Sequence, residues 1–249
     1  MAAPENTLEA FRLANLVDSD LVELDYFHSS DGVPVVFHDP TLDRTTNAGQ
    51  LWGGENHHIA ERSLEELKEL DAGNWFSSQF AGAEIPTLEE ALNIIQENAI
   101  TLIERKEGDA RTLIELLRRM EYLDDVHIQS FDWEFLADCR ELALDVPLGA
   151  LGPPRREDGS RYPYEERFLD KAFLHRIEST GANVVGWNRQ VTRESVREAQ
   201  SRGFKVWIYT INDLDTALEL LAMGVDGIIS ENPPIVWKAL ALRSGGWEQ

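Results

Sequence analysis

Two short segments gather charged side chains at alternating positions. In Val22-Glu23-Leu24-Asp25 two carboxylates are separated by one residue, and Glu104-Arg105-Lys106 repeats that spacing with a carboxylate and an ammonium. Side chains alternate across a strand, so Glu23 and Asp25 project to one side while Val22 and Leu24 project to the other. Glu104 and Lys106 likewise share a face. Arg105 takes the opposite one, an awkward place for a charge unless its head reaches solvent. If the apolar faces pack under helices, three carboxylates are crowded together inside, which is costly unless something neutralises them. A hard divalent cation, Mg²⁺ or Ca²⁺, does so with oxygen ligands. It suits this set better than zinc, because neither cysteine nor a histidine cluster accompanies it. An internal ion-pair network of Glu23, Asp25, Glu104 and Lys106 accounts for the same spacing, and pattern alone leaves both open.

His38, followed by Asp39 and Pro40, ends an apolar run and is the candidate acid/base group. A lone histidine is more often structural, so this role too stays open on pattern. The remaining histidines have weaker claims. His28 falls on the strand face opposite Glu23 and Asp25. His57 and His58 lie in a polar loop and His175 on a helix, and surface roles are expected for these three. The sequence contains no phosphate-cradling glycine loop, serine nucleophile elbow or zinc-ligand spacing.

Positioning such groups requires a sheet. Strand candidates at Leu21–Asp25, Thr101–Lys106, Val126–Phe131, Val146–Leu151, Asn183–Trp187, Lys205–Thr210 and Gly227–Ser230 alternate with amphipathic stretches such as Thr112–Tyr122, Trp133–Leu142, Arg193–Arg202 and Leu214–Met223. This alternation predicts a parallel sheet and, at this length, an α/β fold of the TIM (β/α)8 barrel type. Seven strands are counted where a closed barrel needs eight. Asp31-Gly32 is a tight-turn signal, and so short a connection makes Val33–His38 return antiparallel to Leu21–Phe27. That hairpin opens an excursion over about 26–86, and Gly152–Glu166 reads as a second long loop. Asn6 with Glu9, and Thr87 with Glu90, have capping-box spacing. With no internal repeat or interdomain linker, the expectation is a single domain over 1–249.

The chain has 249 residues and is 43% hydrophobic, enough for one large core. Its 23 Lys+Arg against 45 Asp+Glu leave a net charge of −22. Such a surface repels nucleic-acid backbones and offers no polybasic patch to a membrane. The single cysteine, Cys139, rules out an internal disulfide. No apolar run has membrane-spanning length and no signal peptide opens the chain, so a cytoplasmic protein without a stable membrane anchor is expected.

Further segments carry a resemblance. They are Pro4-Glu5-Asn6-Thr7, Asp31-Gly32-Val33-Pro34-Val35-Val36-Phe37-His38-Asp39 and Leu42-Asp43-Arg44-Thr45-Thr46. After them come Leu70-Asp71-Ala72-Gly73-Asn74-Trp75-Phe76, Ile85-Pro86-Thr87-Leu88, Gln129-Ser130-Phe131, Tyr209-Thr210-Ile211-Asn212 and Gly224-Val225-Asp226-Gly227-Ile228-Ile229. Together with the two acidic segments, and in this order, they resemble the glycerophosphodiester phosphodiesterase family over nearly the whole length. The resemblance implies metal-dependent hydrolysis of glycerophosphodiesters to glycerol 3-phosphate and an alcohol, through two acid/base histidines and a cyclic phosphate. It implies metal ligation by Glu23, Asp25 and Glu104, acid/base catalysis by His38, and substrate contacts from Lys106 and Tyr209. Tyr209 stands where the family usually has tryptophan, and Arg105 where it has an apolar residue. The family opens with a strand ending in His-Arg-Gly, where Met1-Ala2-Ala3 stands here. A first strand upstream of the chain is therefore expected. The alternatives are a catalytically impaired member that binds phosphodiesters or acts as a scaffold, and a different metal-dependent barrel enzyme.

Overall fold

Residues 2–17 and 19–243 are described by the computed structural model. The chain divides into two compact units, residues 1–127 and 128–249.

The first unit opens with helix α1 (Leu8–Leu16) and strand β1 (Leu21–His28), followed by β2 (Pro34–Val36). β1 runs three residues past the expected Asp25 because β2 returns against its end, with Tyr26, Phe27 and His28 opposite Val36, Val35 and Pro34. The pairing is antiparallel, as the Asp31-Gly32 turn predicts. Helices α2 (Ala48–Trp52), α3 (Leu64–Lys68) and α4 (Leu88–Ile95) follow, then β3 (Ile100–Arg105) and α5 (Ala110–Arg119). β3 lies parallel to β1, and the register sets Asp25 opposite Glu104.

Local caps decide where these helices begin. Thr87 and Glu90 form the expected capping box at α4, with Glu90 N–H donating to Thr87 Oγ1 at 3.1 Å and Thr87 N–H to Glu90 at 2.8 Å. The expected Asn6–Glu9 box is not formed. Thr7 caps α1 instead, accepting from the Ala10 N–H at 3.3 Å, while Asn6 turns away with φ +54°. α5 starts two residues before its expected Thr112, because Asp109 accepts from the Thr112 N–H at 2.9 Å and so caps the turn between them.

The excursion between β1 and β3 has an apolar cluster of its own. Phe27, Val35, Phe37, Leu42, Ile59, Leu67, Leu70 and Ile85 are buried together, with Trp52 and Leu64 packed against them. The chain around β2 is bonded on both sides: Phe37 N–H donates to Asp25 O at 3.0 Å and Val36 N–H to Pro86 O at 2.8 Å. The surface role expected for His57 is overturned here. His57 is buried, edge-on to the Trp52 ring at 5.5 Å, with its backbone N–H donating to Asp43 at 3.0 Å. His58 and His175 are exposed, as expected.

In the second unit strands and helices alternate: β4 (Val126–Ser130, entering from the first unit), α6 (Trp133–Leu142), β5 (Leu148–Gly152), α7 (Lys171–Glu178), β6 (Val184–Trp187), α8 (Arg193–Ser201), β7 (Lys205–Ile208), α9 (Leu214–Met223), β8 (Gly227–Ile228) and α10 (Pro233–Arg243). Each neighbouring pair from β4 to β8 is parallel. Helices α6 and α9 have the bounds read from the sequence. The strands differ from expectation by one to two residues at their ends. Gly152 ends β5 where a side chain has no room, since an added Cβ would lie 1.8 Å from the fully buried Trp187 ring.

β1 and β3 are parallel in the first unit and β4 to β8 are parallel in the second, with helices alternating between strands, which is the pattern of the (β/α)8 barrel class. Among the described residues, no helix is long and apolar enough to cross a membrane.

Candidate active site

β1 and β3 deliver the acidic residues as strand alternation requires. The carboxylate oxygens of Glu23, Asp25 and Glu104 can lie within 4.8 Å of one another. Asp25 is 4% exposed and Glu104 8%, while Glu23 is partly open to solvent. The neighbouring apolar positions Val22, Leu24 and Ile103 are buried in the core.

Lys106 is the cation in this group. Its Nζ lies 2.9 Å from Asp25 Oδ1 and donates a hydrogen bond to Glu104 Oε1. Burial works against its charge, but Asp25 and Glu104 together outweigh that and raise its pKa above the ordinary lysine value. Burial pushes the Glu104 carboxyl up to about 7, reinforced by the Asp25 charge and opposed by Lys106. Asn6 holds Asp25 from the other side. Its Nδ2 donates to Asp25 Oδ2 at 2.9 Å, and its Oδ1 accepts from the Asp25 N–H at 3.2 Å.

His38 follows Phe37, whose bond to Asp25 O ties this segment to the level of the acidic group. Its Nδ1 is 2.6 Å from Asp39 Oδ1. Asp39 Oδ2 accepts from Arg44 Nε, and Arg44 reaches Glu5 with both terminal nitrogens, Nη1 at 3.1 Å from Oε2. Burial works to raise the Asp39 carboxyl, but hydrogen bonds from Arg44 and His38 outweigh it and hold the group below its ordinary value.

The two acidic segments and Lys106 thus meet where sequence alternation places them. Tyr209 belongs to the second unit, just past β7, where its hydroxyl donates to Gly152 O at 2.6 Å and its ring stands edge-on to Phe131 at 6.0 Å. Arg105 is accommodated as its strand face demands, with Nε donating to Gly108 O at 2.8 Å. His28, on the face opposite the carboxylates, lies over Gly108, where an added Cβ would come within 2.5 Å of Nε2. Glu5 and Arg44 were not singled out by spacing, and Asn6 only as a helix cap. The signal that could have found them is their place in Pro4–Thr7 and Leu42–Thr46, segments that carry the family resemblance.

Comparison with known proteins bears on the whole chain. The model of the glycerophosphoryl diester phosphodiesterase family matches residues 1–234. The glycerophosphodiester phosphodiesterase of Caldanaerobacter subterraneus subsp. tengcongensis is 32% identical over 250 residues, covering 98% of this chain and 94% of its own. A phosphodiesterase of Oleispira antarctica, solved in complex with the product sn-glycerol-3-phosphate, superposes with a TM-score of 0.83 at 28% identity over 96% of this chain and 92% of that one. The glycerophosphodiester phosphodiesterase of Agrobacterium tumefaciens gives a TM-score of 0.76 at 26% identity, covering 94% of each chain. With the motifs, the barrel-class fold and a family match across both units, this chain belongs to the glycerophosphoryl diester phosphodiesterase family.

Proposed function

We propose that the protein hydrolyses glycerophosphodiesters to glycerol 3-phosphate and an alcohol with the help of one divalent cation, and that its two units serve one catalytic domain. The observation that carries this reading is the acidic trio, two of its members buried, together with a histidine whose Nδ1 is already engaged. Family membership and the product-bound relative from Oleispira antarctica support the substrate class.

Glu23, Asp25 and Glu104 would hold the cation. Three carboxyl groups outnumber the one ammonium of Lys106, and the donors are all hard oxygens, so the set fits a divalent ion. We favour Mg²⁺ or Ca²⁺ over softer metals on the same ground. A divalent ion held there would supply positive charge against the phosphate. Lys106 brings a charged hydrogen-bond donor to that spot for a phosphate oxygen. Tyr209 supplies an aromatic wall for the substrate.

His38 handles a proton at Nε2. Asp39 is ionised and can only accept, so Nδ1 carries a hydrogen and the Nε2 lone pair is left for the substrate. A glycerol hydroxyl attacks phosphorus as its proton passes to a base, and the alcohol departs with a proton from an acid. Water then opens the cyclic phosphate to glycerol 3-phosphate. His38 serves as one member of that acid/base pair, a role worth about 10²–10⁴-fold in rate.

The test is hydrolysis of glycerophosphocholine and glycerophosphoethanolamine, with and without chelation, beside calorimetric titration of Mg²⁺ and Ca²⁺ into wild type and Glu104→Gln. Metal-dependent turnover and weaker binding by Glu104→Gln are expected. Equal metal affinity in the two proteins would remove Glu104 from the ligand set. Metal and phosphodiester binding without turnover would replace the enzyme by a non-catalytic binder.

A further inference from the structure

Neither the Pro4–Thr7 segment nor the Leu42–Thr46 segment has a part in the function argued so far, yet the fold brings both to His38. Glu5, Arg44, Asp39 and His38 form a line of alternating charge drawn from three stretches of chain. Each Asp39 oxygen has one partner, Oδ1 on the imidazole and Oδ2 on the guanidinium. Arg44 meets Glu5 fork to fork, the arrangement in which a planar guanidinium fixes a carboxylate in both position and plane. The next residue, Asn6, sends its amide the other way, to both the side chain and the backbone N–H of Asp25. Its φ of +54° lies in the left-handed region, which asparagine tolerates and most residues avoid. Thr7 anchors the pair from behind: its hydroxyl is buried, donates to Pro4 O at 2.8 Å and caps α1.

We propose that Glu5 and Arg44 are positioning residues for His38 and that Asn6 is one for Asp25, so the Glu5-Asn6 dipeptide sets the spacing between the proton-transfer group and the metal-binding carboxylates. This rests on the roles given to His38 and Asp25 above. A stabilising role alone is a weak account of the line, because its members are partly open to solvent and such ion pairs contribute little. What the line does is geometric. Without Arg44, Asp39 is free to rotate away from Nδ1, and the imidazole loses the acceptor that selects its tautomer and ring angle. Arg44 never meets the substrate in this scheme, so its loss acts on the turnover step and not on binding.

The experiment compares wild type with Arg44→Gln, Arg44→Lys and Glu5→Gln, with Glu9→Gln as a control at a surface pair with Arg12. Steady-state kinetics on glycerophosphocholine are read beside the side-chain nitrogen spectrum of His38, assigned against His38→Gln. Arg44→Gln should lower kcat about 10–100-fold with KM unchanged, the range found when an orienting partner is removed. Its His38 signals should move from one tautomer to a mixture. Arg44→Lys should recover part of both, and Glu5→Gln should show the same changes more weakly, which keeps the test alive if Arg44→Gln fails to fold. An unchanged His38 spectrum in Arg44→Gln and Glu5→Gln would overturn the proposal, as would unchanged kcat. If wild type cleaves no glycerophosphodiester, the functional reading fails on its own, and the nitrogen spectra still decide whether Arg44 holds His38.

Discussion

Replacing Lys106 by methionine separates a metal site from an ion-pair network, because the two readings give this side chain opposite dependence on added cation. Its Nζ lies 2.9 Å from Asp25 Oδ1 and also bonds Glu104. At an effective dielectric constant of about 20, a pair at that distance is worth roughly 6 kcal/mol before the cost of desolvating the charges. Desolvation offsets much of it, and removing one partner of a buried pair typically costs about 3–5 kcal/mol. For a chain of this length each kcal/mol shifts Tm by about 2–4 °C, so metal-free Lys106→Met should melt about 6–20 °C below wild type. A divalent cation bound by the same carboxylates would replace the lost positive charge. Thermal unfolding with chelator and with excess Mg²⁺ is the assay. The expected pattern is a large deficit in chelator that shrinks when Mg²⁺ is added, together with undiminished metal affinity. Lys68→Met, which breaks partly exposed pairs to Glu84 and Glu90, should cost only about 0–1 kcal/mol and show no such rescue. A Lys106→Met deficit that Mg²⁺ leaves untouched would refute the metal site and favour the internal network.

Two further outcomes follow from packing. Burial depresses the His28 pKa despite the pull of Asp109, and Nε2 is buried without a hydrogen-bond partner. The folded state therefore disfavours the charged ring. That stability is fully present above the unfolded value of about 6.5 and is lost as pH falls through the lower folded value. Wild type should lose more Tm than His28→Phe between about pH 7.5 and about pH 5.5; parallel losses would mean the ring titrates alike folded and unfolded. Gly152→Ala should destabilise by about 1–3 kcal/mol or disrupt folding, since its Cβ meets the buried Trp187 ring at 1.8 Å. Unchanged chemical denaturation would show that β5 can move away at no cost.

Strand alternation made the acidic face legible without any structure. Glu23, Asp25, Glu104 and Lys106 needed only a period of two to be placed together, and register did the rest. The hairpin was legible because Asp31-Gly32 leaves no length for a crossover. Several of the errors originate in partners that the local pattern does not reveal. Asn6 and Thr7 both offer a side-chain oxygen at a helix start, and spacing cannot say that Asp25 claims the first. His57 sits in a polar stretch, but Trp52 and Asp43 fold over it. β1 outruns its expected end because β2 pairs with it, a consequence of the turn and not of local propensity. Arg44 needed the fold itself to bring Glu5 and Asp39 to its two sides.

The apolar cluster of the excursion also bears on how the protein would wear out. Val35 and Phe37 are buried in it, directly before His38, and the Val36 and Phe37 amides are bonded to Pro86 and Asp25. Hydrogen exchange at those amides should therefore report opening of this cluster at a lower free energy than unfolding of the chain. The expectation is that such an opening carries His38 off its station while the β1–β3 pairing that holds Asp25 opposite Glu104 stays closed. Under heat or mild denaturant, turnover should fade at concentrations where cation binding persists, leaving a population that still titrates with metal and no longer reacts.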